Sequence, residues 1–143
     1  IAFSAPEGWE IESFGDDMAK KRQWLFGVTI KPTDKDSFAL IGGRDLPTDG
    51  VDLQQLRKGE MDQLRSVAES TDIGEASDID IDGTKALSWT VSFKVGVERK
   101  RREVFILKGR RLYFLVADAV PPSDFDMLNQ GVDALIKTIK FTD

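Results

Sequence analysis

The chain has 143 residues, 41% of them hydrophobic and 31% charged, and this length and composition predict one globular domain, residues 1–143, with a single hydrophobic core. The absence of both cysteine and histidine excludes disulfide bonds, thiol nucleophiles, imidazole bases and the zinc sites built on either side chain. The net charge of −5 argues against a nucleic-acid partner, and no run of about 18 apolar residues is present to form a transmembrane segment.

Residues 3–43 predict short strands. Residues 3–14 are typical of two extended pieces around a turn at Pro6-Glu7-Gly8. From Gln23 onward, apolar residues alternate with a period of two, which predicts a half-buried strand whose apolar face carries Trp24, Phe26, Val28 and Ile30. Residues 37–43 predict a further short strand that ends at the glycine pair Gly42-Gly43, a pair without the spacing of a phosphate-binding loop.

A helix is predicted after the loop at residues 47–50. Asp52 and Gln55 have the three-residue spacing of a capping box, which marks a helix start. Apolar residues then recur on one side, close to Met61: Leu53, Leu56, Leu64 and Val67. Gly59 weakens the helix without abolishing it, because one glycine costs only about 1 kcal/mol relative to alanine.

The stretch DIDIDGTKALSW begins at Asp78 and resembles a calcium loop, with aspartate at its first, third and fifth positions and glycine at its sixth. Its twelfth position holds Trp89 instead of the bidentate glutamate, and the residues that follow predict a strand rather than a helix. We therefore predict a strand with a wet aspartate face. Apolar residues on both sides of the turn are odd-numbered. If both sets face one shared core, the loop between the strands must contain an odd number of residues. We predict the three-residue loop Ile81-Asp82-Gly83, with Gly83 in a left-handed conformation.

The last third predicts two central strands and a helix. Residues 102–108 and 111–120 are apolar on both faces, as strands covered on each side are, and KGRR connects them as a tight hairpin. Ser123 and Asp126 have capping-box spacing, and a buried stripe follows at spacings of three and four: Phe125, Leu128, Val132, Leu135 and Ile139. The elements together predict an α+β fold, a mostly antiparallel sheet flanked by helices.

Two groups of residues are candidate binding surfaces. Between Lys94 and Arg111, eight basic residues against two acidic ones give a local charge of +6. Within this segment the run Arg99, Lys100, Arg101 and Arg102 is a candidate patch for an anionic partner, or else a solvated feature that protects an edge strand. Aromatic residues on the predicted strands are a candidate apolar partner surface, or else core residues: Trp24, Phe26, Trp89 and Phe93.

Four stretches of the chain resemble the PsbP-like superfamily and, within it, the DcrB-like bacterial domains. They are FSAPEGW, SFALIGGRDLPTDGVDLQQL, IDGTKALSWTVSF and FDMLNQGVDALIKTIKF, which together extend over nearly the whole chain. The resemblance implies a single domain with a PsbP-like α/β/α sandwich. It also implies binding rather than catalysis, with no cofactor and no metal, because members include envelope lipoproteins, photosystem accessory proteins and the Eag chaperones of type VI secretion effectors.

We therefore expect a non-enzymatic protein-binding domain, a chaperone or adaptor for apolar segments of a secreted effector. It would act in the cytoplasm, through its sheet surface and as a homodimer. The alternative is an exported accessory domain of the bacterial envelope, periplasmic or extracellular after signal removal, or lipid-anchored. The chain begins at Ile1 rather than methionine, so we expect preceding residues, and either a removed signal or a longer cytoplasmic chain fits that start.

Overall fold

An antiparallel sheet forms the middle layer of this computed structural model, which describes residues 1–13 and 16–142. Those residues include eight strands: β1 (Trp9–Ser13), β2 (Phe26–Pro32), β3 (Phe38–Asp45), β4 (Ser70–Ile73), β5 (Ser77–Ile81), β6 (Thr84–Val95), β7 (Val97–Lys108) and β8 (Arg111–Ala119). The strands are hydrogen-bonded in the order β1-β2-β3-β8-β7-β6-β4, and β5 pairs with β6 along the same edge as β4. The predicted α+β architecture is confirmed.

Helices lie on both faces of the sheet: α1 (Asp16–Lys21), α2 (Leu53–Val67) and α3 (Phe125–Thr138). Helix α3 packs on β7 and β8, whereas α2 lies on the opposite face over β4, β6 and β7. The two faces therefore belong to two separate hydrophobic groups, an α3-face core and an α2-face core. None of the helices in the described ranges is long and apolar enough to cross a membrane.

The predicted central strands are confirmed. Strand β7 lies between β6 and β8, and β8 lies between β7 and β3, so helices or loops cover both faces of each. Lys108 pairs with Arg111 across a two-residue turn, as the KGRR hairpin requires. Gly109 has a φ of +62°, a left-handed conformation that glycine adopts without steric cost.

Helix α3 buries the predicted stripe, but its predicted capping box is wrong. All five apolar residues from Phe125 to Ile139 are buried against the sheet. Residues 122–124 form a 3₁₀ turn after the two prolines, which moves the N-cap from Ser123 to Asp124. Asp124 makes no capping hydrogen bond; its carboxylate accepts one from the Ser37 hydroxyl at 3.1 Å.

Helix α2 begins where the sequence predicts. The Gln55 amide donates to the Asp52 carboxylate at 2.8 Å, and the Asp52 amide donates to the Gln55 side chain at 3.3 Å, which completes the capping box. Met61 and Leu64 are buried in the α2-face core. The predicted stripe is wrong at its end, because Val67 is 65% exposed.

The β5–β6 hairpin has a left-handed Gly83, as predicted, but the odd loop is wrong. Ile81 pairs with Thr84 around a two-residue turn in which Asp82 and Gly83 have φ values of +48° and +77°, a type I′ turn. The isoleucines before the turn therefore face the α3-face core, while Leu87 and Trp89 face the α2-face core. The prediction assumed one shared core, whereas β6 is covered by a different core on each face.

Other boundaries at the N-terminal end also differ from the predictions. Strand β3 continues through Gly42-Gly43 to Asp45, because the glycines leave room for aromatic rings: a Cβ on Gly42 would lie 2.5 Å from Phe114. Trp24 precedes β2 and packs in the α2-face core, so it does not share a face with Phe26, which packs against the α3-face core. The second extended piece is β1, and its predicted last residue, Phe14, lies outside the described residues.

Candidate binding cleft

A cleft of about 740 Å³ opens on the α2 face of the sheet. Helix α2 lies over β4, β6 and β7 and leaves the neighbouring surface of β3 and β8 without a helix above it. The cleft lies between α2 and the segment that follows α1, and the α2-facing residues of β3, β8 and β7 form its floor. We call this feature the α2-face cleft.

The floor of the α2-face cleft carries a group of apolar side chains among charged and polar ones. Strand alternation brings five apolar side chains to the same face of three neighbouring strands. Leu40 pairs across strands with Val116, and Phe105 pairs with Phe114. The apolar floor consists of Phe38, Leu40, Phe105, Phe114 and Val116.

Trp24 forms the rim of the cleft on the side away from α2. Its ring centroid lies 4.8 Å from that of Phe114, at an interplanar angle of 59°. The Arg22 guanidinium carbon lies 5.1 Å from the Trp24 ring centroid, within the range of a cation–π contact. The rim therefore carries a positive charge beside an aromatic ring.

Glu103 lies in the cleft without exposed surface. It is 0% exposed, and its neighbours on the adjacent strands are Trp89 and Val116. Neither carboxyl oxygen has a hydrogen-bond partner among the residues that the structure describes. Burial raises the pKa of Glu103 to about 8; the nearby Glu60 carboxylate adds to the rise, and Arg101 opposes it.

A second buried carboxylate, Asp118, is fully paired. Arg101 donates two hydrogen bonds to it, at 3.1 and 2.9 Å, and Arg99 donates a third at 3.4 Å. Burial lowers the pKa of Arg101, because it disfavours the charged form. The hydrogen bonds to Asp118 and its negative charge have a larger combined effect, so the Arg101 pKa is raised overall. The Arg101 guanidinium also lies 4.7 Å from the Phe93 ring centroid.

The predicted basic run is divided between the two faces of β7. Arg99 and Arg101 face the α2 side, where they pair with Asp118. Lys100 and Arg102 face the α3 side. The anionic-partner patch remains a prediction, but its four side chains do not form one surface.

The two α3-side residues of the run contact α3 directly. The Lys100 ammonium lies 4.3 Å from the Phe125 ring centroid. Arg102 donates to Asn129 at 3.0 Å and forms an ion pair with Asp133. The edge-protection alternative is wrong for this run, because β7 is a central strand whose alternate side chains reach both covering layers.

The predicted aromatic surface is likewise divided. Trp24 is half-buried and lines the α2-face cleft. Trp89 and Phe93 are buried in the α2-face core, with only 2% and 5% of their surfaces exposed. Phe26 packs on the other side of the sheet, 6.2 Å from Tyr113 between ring centroids. A partner at these residues remains a prediction, and of the four only Trp24 reaches the cleft.

Glu103 and the apolar floor were not identified from the sequence. Glu103 was overlooked because it directly follows the basic run. Glu103 alternates with Phe105 and Leu107 along a strand predicted to be central, so all three side chains lie on the same face. That alternation was the available signal. The floor residues gave none, because apolar residues in a central strand are expected to be buried.

Two aspartates of the predicted calcium-like stretch, Asp80 and Asp82, accept hydrogen bonds from backbone amides. Asp80 accepts from the Gly83 amide at 2.9 Å, within the turn. Asp82 accepts from the Phe141 amide at 2.8 Å, and this bond, with Lys140 nearby, lowers the Asp82 pKa. Across the described parts of the chain, no three acidic side chains are grouped to hold a metal ion.

Comparisons with known proteins bear on the fold. No protein-family profile and no curated protein matches the sequence. Among solved structures, the chain is similar to cyanobacterial PsbP (CyanoP) from Synechocystis sp. PCC 6803, with 14% identity and a TM-score of 0.64 over 95% of this chain and 83% of that one. It is also similar to PA94 of Pseudomonas aeruginosa, a protein of unknown function, with 12% identity and a TM-score of 0.66 over 94% and 83%. The chain therefore adopts the PsbP-like fold.

Proposed function

We propose that this domain is a non-enzymatic protein-binding module that holds an apolar segment of another protein in the α2-face cleft. One observation carries the proposal: on the α2 face of the sheet, a cleft of about 740 Å³ with apolar residues on its floor remains open beside α2. Binding sites are usually concave, and the volume of about 740 Å³ lies within their common range of roughly 300–1,000 Å³. This cleft combines apolar floor residues with charged and polar side chains.

The shape of the cleft favours a chain segment over a compact ligand. A second hollow of about 350 Å³ shares Glu60, Gln63 and Arg101 with the cleft and continues along α2. Its far end reaches Val67 and Val95, which are 65% and 43% exposed. An elongated groove that ends at exposed apolar residues suits a peptide laid along α2, which matches the groove-binding mode of peptide recognition.

The resemblance of the sequence to DcrB-like domains supports a finer proposal. In it, the domain is a cytoplasmic, homodimeric chaperone that shields an apolar segment of a secreted effector. Sedimentation of the purified protein tests the dimer, and a monomer at all concentrations would contradict it. The genomic sequence upstream of Ile1 separates this proposal from the exported alternative, because a signal ending in a lipidated cysteine favours export.

A specific observation favours an enzyme as the second candidate. Glu60 and Glu103 converge in one cleft, and a raised pKa is what a carboxyl group needs to act as a general acid near neutral pH. We assign binding instead because the two carboxyl groups lie beside an apolar floor that continues into an elongated groove, which suits a chain segment. Turnover of a panel of chromogenic glycosides and esters, lost in Glu103→Gln, would overturn the non-enzymatic part of the proposal.

Replacing Val116 with arginine tests the binding proposal. The variant places a charge on the apolar floor, so we expect the affinity for a blocked peptide of leucine, alanine and serine to fall by about tenfold or more, at least 1.4 kcal/mol. Met127→Arg is the matched control, because Met127 is an exposed apolar residue on α3, away from the cleft. Isothermal titration calorimetry measures both, and circular dichroism confirms folding.

The rim variant Trp24→Ala serves if Val116→Arg does not fold. It removes a half-buried ring that lines the cleft without adding a charge to the sheet. Unchanged affinity in both cleft variants, or equal losses in the cleft variants and in Met127→Arg, would contradict the assignment of the cleft.

A further inference from the structure

Glu103 is a buried polar group in the cleft, and the Glu60 carboxyl group lies close to it. Glu103 has no exposed surface, and neither of its carboxyl oxygens accepts or donates a hydrogen bond within the described residues. Buried polar groups nearly always have partners, because an unmade hydrogen bond costs the full desolvation of the group. Because Glu103 lies at the floor of an open cleft, we infer that a bound ligand supplies the hydrogen-bond partner of its carboxyl group.

The charges around Glu103 define what that partner is. On the same strand, Arg101 donates hydrogen bonds from Nε and Nη2 to Asp118, and Glu103 receives none from it. From α2, Glu60 brings a second carboxylate to the same part of the cleft. The charged groups that line the cleft with Glu103 come from β3, β7, β8, α2 and the segment after α1: Arg44, Arg101, Asp118, Glu60 and Arg22.

We propose that Glu103 and Glu60 form a subsite for a cation, so that the segment held in the cleft carries a lysine or arginine side chain among its apolar residues. This inference rests on the proposed function. The basic head group lies between the two carboxyl groups, while its apolar neighbours lie on the floor next to Val116 and Phe114. Long basic side chains fit this site, because their aliphatic stems are compatible with apolar walls.

In this proposal, Glu103 is reached through movement of the side chains that line the cleft. Glu60 and Gln63 project from α2 into the same cleft, and long side chains near the surface change rotamer without moving the backbone. Rotation of Glu60 towards solvent opens a path to Glu103, and its return places the second carboxylate on the bound cation.

The subsite couples binding to proton release. In the free protein, burial and the nearby Glu60 raise the Glu103 pKa to about 8, so the carboxyl group is largely protonated near neutral pH. A cation beside Glu103 favours its ionised form. The Glu103 proton then passes to the buffer as the ion pair forms, and affinity rises with pH up to the Glu103 pKa.

Three blocked peptides test the subsite. They share one sequence of leucine, alanine and serine and differ only at a central residue, which is lysine, norleucine or glutamate. We expect the lysine peptide to bind at least about tenfold more tightly than the norleucine peptide at pH 8, and by a smaller factor at pH 6. Calorimetry in two buffers of different ionisation enthalpy measures the proton released with the lysine peptide alone.

Glu103→Gln and Glu60→Gln should each remove most of the preference for lysine while the norleucine peptide binds as before. Glu60 is half-buried on α2, so we expect Glu60→Gln to fold, and it can replace Glu103→Gln in the test if that variant does not fold. Equal binding of the lysine and norleucine peptides, or tightest binding of the glutamate peptide, overturns the subsite and leaves the cleft assignment standing. Failure of all three peptides to bind overturns both.

Discussion

Glu103 makes the folding free energy depend on pH. Its folded-state pKa of about 8 lies above the ordinary value of 4.5, because burial and Glu60 disfavour its charge. Between these two values the folded protein holds a proton that the unfolded chain has lost. The stabilising contribution is therefore complete below pH 4.5 and is lost as pH rises towards 8.

Substitution of Glu103 by glutamine should remove this dependence. Across pH 5 to 8, the wild-type free energy of unfolding should fall by up to about 1.4 kcal/mol per pH unit from this group, and the variant should lack that component. Urea unfolding at several pH values measures both. The same slope in wild type and variant would mean that Glu103 titrates as an ordinary carboxyl group.

Cap residues show which local patterns become real contacts. The sequence predicts two capping boxes, at Asp52 and at Ser123, but the structure forms only the first. Asp52→Ala should destabilise the protein by about 1 kcal/mol, because the Gln55 amide loses its acceptor. Ser123→Ala should change stability by less than about 0.5 kcal/mol, as an exposed surface change does. Thermal unfolding compares them, and equal losses would contradict the α3 boundary.

Elements with strong local signals were predictable from the sequence. The α3 stripe, the α2 start and the two central strands depend on periodicity and turn chemistry, and all three are confirmed. The β5–β6 register was not predictable, because the alternation of apolar residues specifies a register only when the strand has one buried face. Strand β6 has Ala86 in one core and Leu87 in the other, so both registers bury apolar residues.

At the scale of the whole molecule, the covering layers are unequal. The buried stripe of α3 packs on the middle of one face, over β7 and β8, whereas α2 is set to one side of the opposite face and leaves the cleft beside it. The cleft combines side chains as far apart in the chain as Trp24 and Val116, so no local pattern contained it. Its location follows from where α2 lies on the sheet, and short-range sequence signals do not specify that placement.

Mapping of amide chemical shifts with the blocked apolar peptide tests the binding cleft most directly. We expect shifts at the floor and along α2, including Leu40, Glu103 and Val116, with α3 amides such as those of Met127 and Asp133 unchanged. Shifts concentrated on α3, or a spectrum unchanged at saturating peptide, would contradict the claim that the α2-face cleft is the functional site.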